Sequence, residues 1–238
     1  MPEAKRSDEF EFSNARSYEP RPDELFLKEI YSTKTRHFVC LQPRGAVLFA
    51  EGERARGVYI LRSGSASMSV SSSDGRVLIL RIARAGDVLG LNSVLRGSPY
   101  ATSVKTLEPS RTDFISEIEF RDLLVQSSSF NKTVLSIVSK ELADLGERAK
   151  SLLLSQTTTA KLAKLLLDWC SESEDIENGV VRINEFTHEQ IAQMIGSSRE
   201  TVTRLIASFR KRQIISTTPD GAMIIDHRAL EASAFGSG

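Results

Sequence analysis

Between Phe38 and Ile115 the apolar residues come in short or alternating runs broken by turn formers: "AVLFAEG", "GVYILRSG", "SASMSVSSSDG", "RVLILRIARAGD" and "YATSVKTLEPS". That spacing predicts the strands of an all-β sandwich or barrel. Gly52, Gly64, Gly75 and Gly86 fall at the breaks, and "SDG" at 73–75 predicts a hairpin turn.

The period changes near Ser116. "SEIEFRDLLVQS" predicts a short helix and residues 130–154 a long one. Along the long helix Val134, Val138, Leu142, Leu145, Ala149 and Leu152 recur at the steps of a coiled-coil seam, flanked by Glu141, Glu147 and Arg148. A helix lying on its own β domain gives a similar stripe; the narrowness of this one favours a dimer seam. "TTTAKLAKLLLDWC" then begins a second helical region with a broad apolar face, in which Trp169 and Cys170 read as core. "SESEDIENG", with Glu172, Glu174, Asp175 and Glu177, reads as an exposed acidic loop. "GVVRI" reads as a short strand, and "QIISTTPDGAMIID" as a closing hairpin turned at Pro219, Asp220 and Gly221.

Between these strands, "THEQIAQMIGSSRETVTRLIASF" has the spacing of a helix-turn-helix. Thr187 can cap the first helix and Gln190 can return the hydrogen bond. Ala192 is small where two helices must cross, Gly196 supplies a left-handed turn, and Ser197 or Ser198 caps the second helix. On a helical wheel Val202, Leu205, Ile206 and Phe209 fall within about 100° of arc. Arg199, Glu200, Thr203, Arg204, Arg210 and Lys211 take the opposite face. In such motifs the second helix enters the DNA major groove N-terminus first. Arginine can bond guanine O6 and N7, and glutamate can accept from the cytosine amino group. A glutamate aimed at DNA is unfavourable near phosphates, which argues for base reading over general attraction to the backbone.

Charge sharpens this picture only locally. The 238-residue chain carries 31 Lys and Arg against 31 Asp and Glu, so no global field points to nucleic acid or membrane. Residues 199–212 nevertheless hold five cations (Arg199, Arg204, Arg210, Lys211, Arg212) and one acid, Glu200, a local +4. Two cysteines, Cys40 and Cys170, exclude a four-cysteine zinc or iron–sulfur site built from one chain. With no apolar leader and no apolar run of membrane-spanning length, the expectation is a cytoplasmic protein without a membrane partner. A metalloenzyme on a cupin-like barrel would need a histidine and carboxylate cluster. His37, His188 and His227 are the whole histidine set, and two of them lie beyond the barrel. No enzyme activity, metal or cofactor is expected.

"THEQIAQMIGSSRETVTRLI" resembles the helix-turn-helix of the Crp/Fnr family of bacterial regulators, and the likeness extends to "FAEGERARGVYILRSG" and "AGDVLG", over roughly residues 25–228. The resemblance implies an α+β chain: a jelly-roll domain like those that bind cyclic nucleotides, a long dimerisation helix and a winged helix-turn-helix domain. The expected divisions are a flexible tail (1–22), a sensor domain (23–128), the dimerisation helix (129–155), the DNA-binding domain (156–230) and a tail (231–238). The resemblance carries base contacts onto Arg199, Glu200 and Arg204, and phosphate contacts onto Thr187, Ser198 and Thr201. It implies a homodimer on twofold-symmetric double-stranded DNA, with a TGTGA-like half-site, and contact with RNA polymerase through the acidic loop. The alternative is a sensor or scaffold working through protein partners, its helix-turn-helix without function; the intact capping and the Arg–Glu–Arg set count against it.

The sensor pocket departs from the family pattern. Cyclic-nucleotide binders hold the ribose with a glutamate just after the glycine corresponding to Gly90, and the cyclic phosphate with an arginine about ten residues on. Leu91 and Tyr100 stand at those places, in a pocket formed by Leu89, Gly90, Leu91, Tyr100, Ala101 and Thr102. Gly146 and Glu147 lie near where adenine-contacting hydroxyls are expected. Arg96, beside Gly97 and Pro99, reads as a turn residue. A neutral pocket cannot offset the desolvation of a buried phosphodiester, so control by cyclic AMP is not expected and the effector is unassigned. His37 reads as a surface or cap histidine rather than a haem ligand, and Cys40 as core rather than a redox switch.

Overall fold

The computed structural model describes residues 22–33, 35–154, 157–172, 176–177, 180–183, 186–217 and 223–235. Residues 1–21 of the expected tail, Glu174 and Asp175 of the acidic stretch, and the turn at Pro219, Asp220 and Gly221 lie outside the described residues.

The first described element, α1 (Pro22–Ser32), is a helix that the sequence pattern did not announce. Its signal is brief: Phe26 and Ile30, one turn apart, are both buried. The strands follow as β1 (Phe38–Gln42), β2 (Val47–Phe49), β3 (Gly57–Ser63), β4 (Ala66–Ser71), β5 (Val77–Ala83) and β6 (Val88–Leu89). A short helix, α2 (Leu91–Arg96), separates them from β7 (Ser103–Thr106) and β8 (Ser110–Ser116). They form two four-stranded sheets, ordered β1-β8-β3-β6 and β2-β7-β4-β5, every pair antiparallel. The β4–β5 hairpin turns at the expected place, closed by the Ser72 amide donating to the Arg76 carbonyl (2.9 Å).

Two helices close this half against the first sheet. In α3 (Glu117–Gln126), Ser116 caps the helix by accepting from the Glu119 amide. The long helix α4 (Ser128–Leu154) begins two residues before its expected start. Phe130 of α4 packs against Phe26 (ring centroids 4.9 Å apart) and Phe120 (5.6 Å). A fully buried side chain of this kind contributes about 1.5–3 kcal/mol.

The remaining elements are α5 (Thr158–Glu172), β9 (Ile176–Glu177), β10 (Val180–Ile183), α6 (His188–Ile195), α7 (Arg199–Lys211), β11 (Ile215–Thr217), β12 (Met223–Asp226) and α8 (His227–Phe235). Their strands pair in the order β11-β12-β10-β9, so the expected closing hairpin extends into a four-stranded sheet. Two expectations are corrected. The acidic stretch is not wholly loop: α5 runs to Glu172, and Ile176 and Glu177 pair with β10. The expected tail at 231–238 is helical through Phe235, because Leu230 is fully buried and anchors α8.

The two halves share a packing element. Ile79 of β5 is only 5% exposed, and the residues around it are Leu162, Leu166, Ile191 and Ile195 of α5 and α6. One strand of the β domain therefore completes the core of the helical domain. Trp169 and Cys170 are buried in that same core, as expected.

Candidate nucleic-acid interface and effector pocket

The α6–α7 pair is built by local hydrogen bonds that the sequence spells out. The Thr187 amide donates to Gln190 Oε1 (2.8 Å), and the Gln190 amide donates back to Thr187 Oγ1 (3.2 Å). Gly196 ends α6 at φ 63°, a left-handed conformation that costs a side-chain-bearing residue about 1–2 kcal/mol. Ser198 caps α7 by accepting from the Thr201 amide (3.2 Å). Val202, Ile206 and Phe209 are buried, Leu205 packs at the margin, and Ala192 sits where α6 and α7 cross.

Docking that arc leaves Arg199, Glu200, Thr203, Arg204, Arg210 and Lys211 exposed on the other face of α7. The Arg199 and Arg204 guanidinium groups make no ion pair or hydrogen bond among the described residues. Glu200 is held below the usual carboxylate range by its own backbone amide first, with the Arg199 charge acting in the same direction. The exposed face thus offers two free cationic forks around one firmly ionised acceptor, a donor and acceptor set suited to base edges.

The three expected phosphate-contacting hydroxyls differ in what they have left to donate. Thr187 gives its proton to Gln190 Oε1 (3.0 Å) and Ser198 gives its own to Thr201 Oγ1 (3.1 Å). Thr201 accepts there, which leaves its hydroxyl proton available.

On the long helix, the expected seam divides. Val134 is buried against its own chain and Val138 packs partly on the same core. Glu141, expected beside the seam, instead faces inward, taking hydrogen bonds from Asn92 Nδ2 (3.0 Å) and Arg81 Nη2 (3.4 Å). Leu142, Leu145 and Ala149 are exposed, and so is Leu135, seven residues before Leu142, which the sequence reading missed. The Leu152 side chain lies outside what is described. The exposed stripe is therefore rotated from the expected one, because the first turns of α4 spend their β-branched residues on the intramolecular core.

At the expected effector pocket, Leu89, Leu91 and Tyr100 are buried, while Ala101 is exposed and Thr102 half-buried. The Tyr100 ring stacks on Phe49 (centroids 3.8 Å apart, 18° between planes), and its hydroxyl donates to the Gly57 carbonyl (2.7 Å). Gly90 has φ 81°, and a Cβ there would lie 2.7 Å from the Tyr100 ring. The Ala101 amide, at the expected phosphate end, is taken by Ser93 Oγ (3.2 Å). Tyr100 thus fills space and satisfies its own polar atom. Arg96 is exposed on the last turn of α2, as expected. His37 lies edge-on to Tyr31 and bonds the Thr35 carbonyl; Cys40 is half-buried rather than core. An open cleft lies elsewhere, about 630 Å³ between β5, α4 and α5, with Leu80, Lys140, Leu145, Lys164 and Trp169 among its walls. No single stretch of sequence signals it, since three separate elements create it.

A β-sandwich sensor-like domain joined by a long helix to a winged helix-turn-helix defines a DNA-binding transcription regulator. Residues 42–127 match the cyclic nucleotide-binding domain family and residues 160–233 the Crp-like helix-turn-helix domain family. The chain belongs to the Crp/Fnr family. It is 28% identical over 193 residues to a CRP-like cAMP-activated global transcriptional regulator of Mycobacterium tuberculosis, covering 81% of this chain and 86% of the relative. It is 25% identical over 222 residues to the anaerobic regulatory protein of Bacillus subtilis, covering 90% and 91%. Among solved structures, the c-di-GMP responsive global regulator CLP of Xanthomonas campestris superimposes with a TM-score of 0.73 at 19% identity, covering 84% of this chain and 99% of that one. These relatives are regulators of transcription, not enzymes. No helix among the described residues is long and apolar enough to cross a membrane.

Burial pushes the Tyr100 phenol up to about 12 from an ordinary 10.0. Its contribution to stability is complete below the ordinary value and is lost as pH rises through the raised one, because the unfolded chain ionises first. The wild-type protein should lose stability over that interval faster than Tyr100→Phe, as read from denaturant midpoints against pH. Parallel curves would place the phenol in contact with water.

Proposed function

We propose that the protein is a sequence-specific transcription regulator that binds a twofold-symmetric DNA site as a homodimer and is not controlled by cyclic AMP. The observation that carries this reading is the exposed Arg199–Glu200–Arg204 set on a helix whose opposite face is fully docked. Arg199 and Arg204 read guanine, Glu200 reads cytosine, and Thr201 donates to the backbone, with Thr187 and Ser198 joining it once DNA draws their hydroxyls from their present partners. The working division is a sensor domain to residue 128, a dimerisation helix to 155 and a DNA-binding domain beyond, in a cytoplasmic protein. Contact with RNA polymerase through Glu172 to Glu177 belongs to the same reading.

Support for the homodimer comes from Leu135 and Leu142, which are 70% and 71% exposed on α4 in line with Ala149. Two such stripes packed together would remove them from water. Support for independence from cyclic AMP comes from the pocket, where a phenol bonded to Gly57 stands in the place of a phosphate-binding cation. Each missing charge-assisted hydrogen bond costs about 1.5–3 kcal/mol, so losing both bonds of a bidentate cation, about 3–6 kcal/mol, carries a micromolar site toward millimolar.

Selection of bound duplexes from random DNA should return inverted half-sites about one helical turn apart. Arg199→Ala should then weaken the selected site by about 1–3 kcal/mol and random DNA far less. An equal loss on both would restrict Arg199 to phosphate. Leu142→Glu should weaken dimerisation by more than about 2 kcal/mol and DNA binding with it; sedimentation of an unchanged dimer would move the interface elsewhere. Calorimetry with cyclic AMP should show no micromolar binding, and such binding, abolished by replacing Tyr100, would reverse the reading of the pocket.

A further inference from the structure

His188, the first residue of α6, lies beside the reading face of α7 and has no role in the capping that shapes the motif. Its Nδ1 is 2.9 Å from Thr203 Oγ1. The Thr203 hydroxyl already donates its proton to the Arg199 carbonyl (2.8 Å). Oγ1 therefore accepts from the imidazole, which fixes the proton of the neutral ring on Nδ1 and leaves Nε2 as a bare acceptor without a partner among the described residues. His188 follows Thr187, at the helix end that the proposed function turns toward the DNA backbone. A lone pair there repels a phosphate oxygen; an N–H donates to it.

We propose that His188 is a proton-linked phosphate contact: it binds a DNA backbone oxygen through Nε2–H as an imidazolium, and the protein takes up a proton as it binds DNA. The reaction is balanced by one proton from solvent per occupied contact, with no other bond changed. The proposal rests on α7 being the DNA-reading helix.

The surrounding charges favour this direction. In the free protein the ring is held below the ordinary imidazole value, by burial first, then by Arg210 and Arg199 of α7. Among the described residues no charge from α5 or β5, which pack on α6, acts on it, and Glu189 beside it is engaged by Gln193 Nε2 (3.2 Å). Free His188 is therefore neutral near pH 7. A phosphate brought alongside offsets the two arginines and supplies an acceptor for Nε2–H, so the bound state holds the proton more tightly than the free state. The affinity gained is full at the acid end and is lost as pH rises past the bound-state value.

The test uses the full-length protein and two duplexes, one selected by the protein and one of random sequence. The wild-type dissociation constant should be about tenfold lower at about pH 6 than at about pH 8 on both duplexes, one pKa unit being a factor of ten. Calorimetry in two buffers of different ionisation enthalpy should record proton uptake at neutral pH. H188Q keeps a donor for Thr203 but cannot ionise, so its affinity should be flat across this range. H188R, permanently charged, should stay tight at the alkaline end, a rescue that a purely structural role would not produce. Circular dichroism establishes that both variants fold. A pH slope that survives in H188Q, or binding without proton uptake, would overturn the proposal. A slope confined to the selected duplex would make His188 a base contact instead and would equally overturn it. Wild-type protein that binds neither duplex at any pH would overturn the reading of α7, and this proposal with it.

Discussion

The structure depends on how α4 divides its length between two tasks. Over its first turns Phe130 packs on Phe26 and Phe120, Val134 and Ile137 are buried in the same core, and Glu141 ends that stretch bonded to Asn92 and Arg81. Past Glu141 the intramolecular core stops and the helix continues with leucine and alanine turned outward. Because a helix is stiff over such a span, anchoring one end fixes the direction of the other. The Ile79 contact from β5 holds the core of α5 and α6, on which α7 packs, against the β domain. Burial of Glu141 lifts its carboxyl above the usual range, with Arg81 opposing the shift. The anchoring thus combines apolar burial with a half-buried ionic contact, and the apolar part carries most of the stability.

The helix-turn-helix was legible almost to the residue because each of its parts is local. A capping box needs Thr187 and Gln190 three apart, a left-handed turn needs Gly196, and docking needs an apolar arc; the structure contains each of these. The β domain was legible as strands and turns, since alternation and glycine placement are local too. The pairing of Gly57 with Tyr100 across more than forty residues was not, because no periodicity records which strand meets which. The seam on α4 shows the same limit in another form. Val134 and Leu135 are adjacent and both apolar, and the sequence does not say which faces the chain's own core; only the position of α1 and α3 decides it. Helix α1 itself was missed because its described side chains offer only one short buried pair, Phe26 and Ile30.

Tyr100 shows how one side chain can fill a pocket and satisfy itself there. Its ring occupies the gap against Phe49 and Gly90, and its single hydroxyl is spent on a backbone carbonyl. The domain matches the cyclic nucleotide-binding domain family over residues 42–127. On the reading proposed above, the domain keeps the family's shape while its pocket lacks the charge an anionic guest needs.

Ile79 has a consequence for modularity. It is contributed by a strand of the β domain yet sits within the apolar core of the DNA-binding half. A hybrid regulator made by joining this DNA-binding half to another family member's sensor would inherit a foreign side chain at that contact. The natural unit of exchange between relatives is therefore not the stretch after the long helix alone. It includes the β4–β5 hairpin, a segment far away in sequence, and the two must change together for the joint to stay filled.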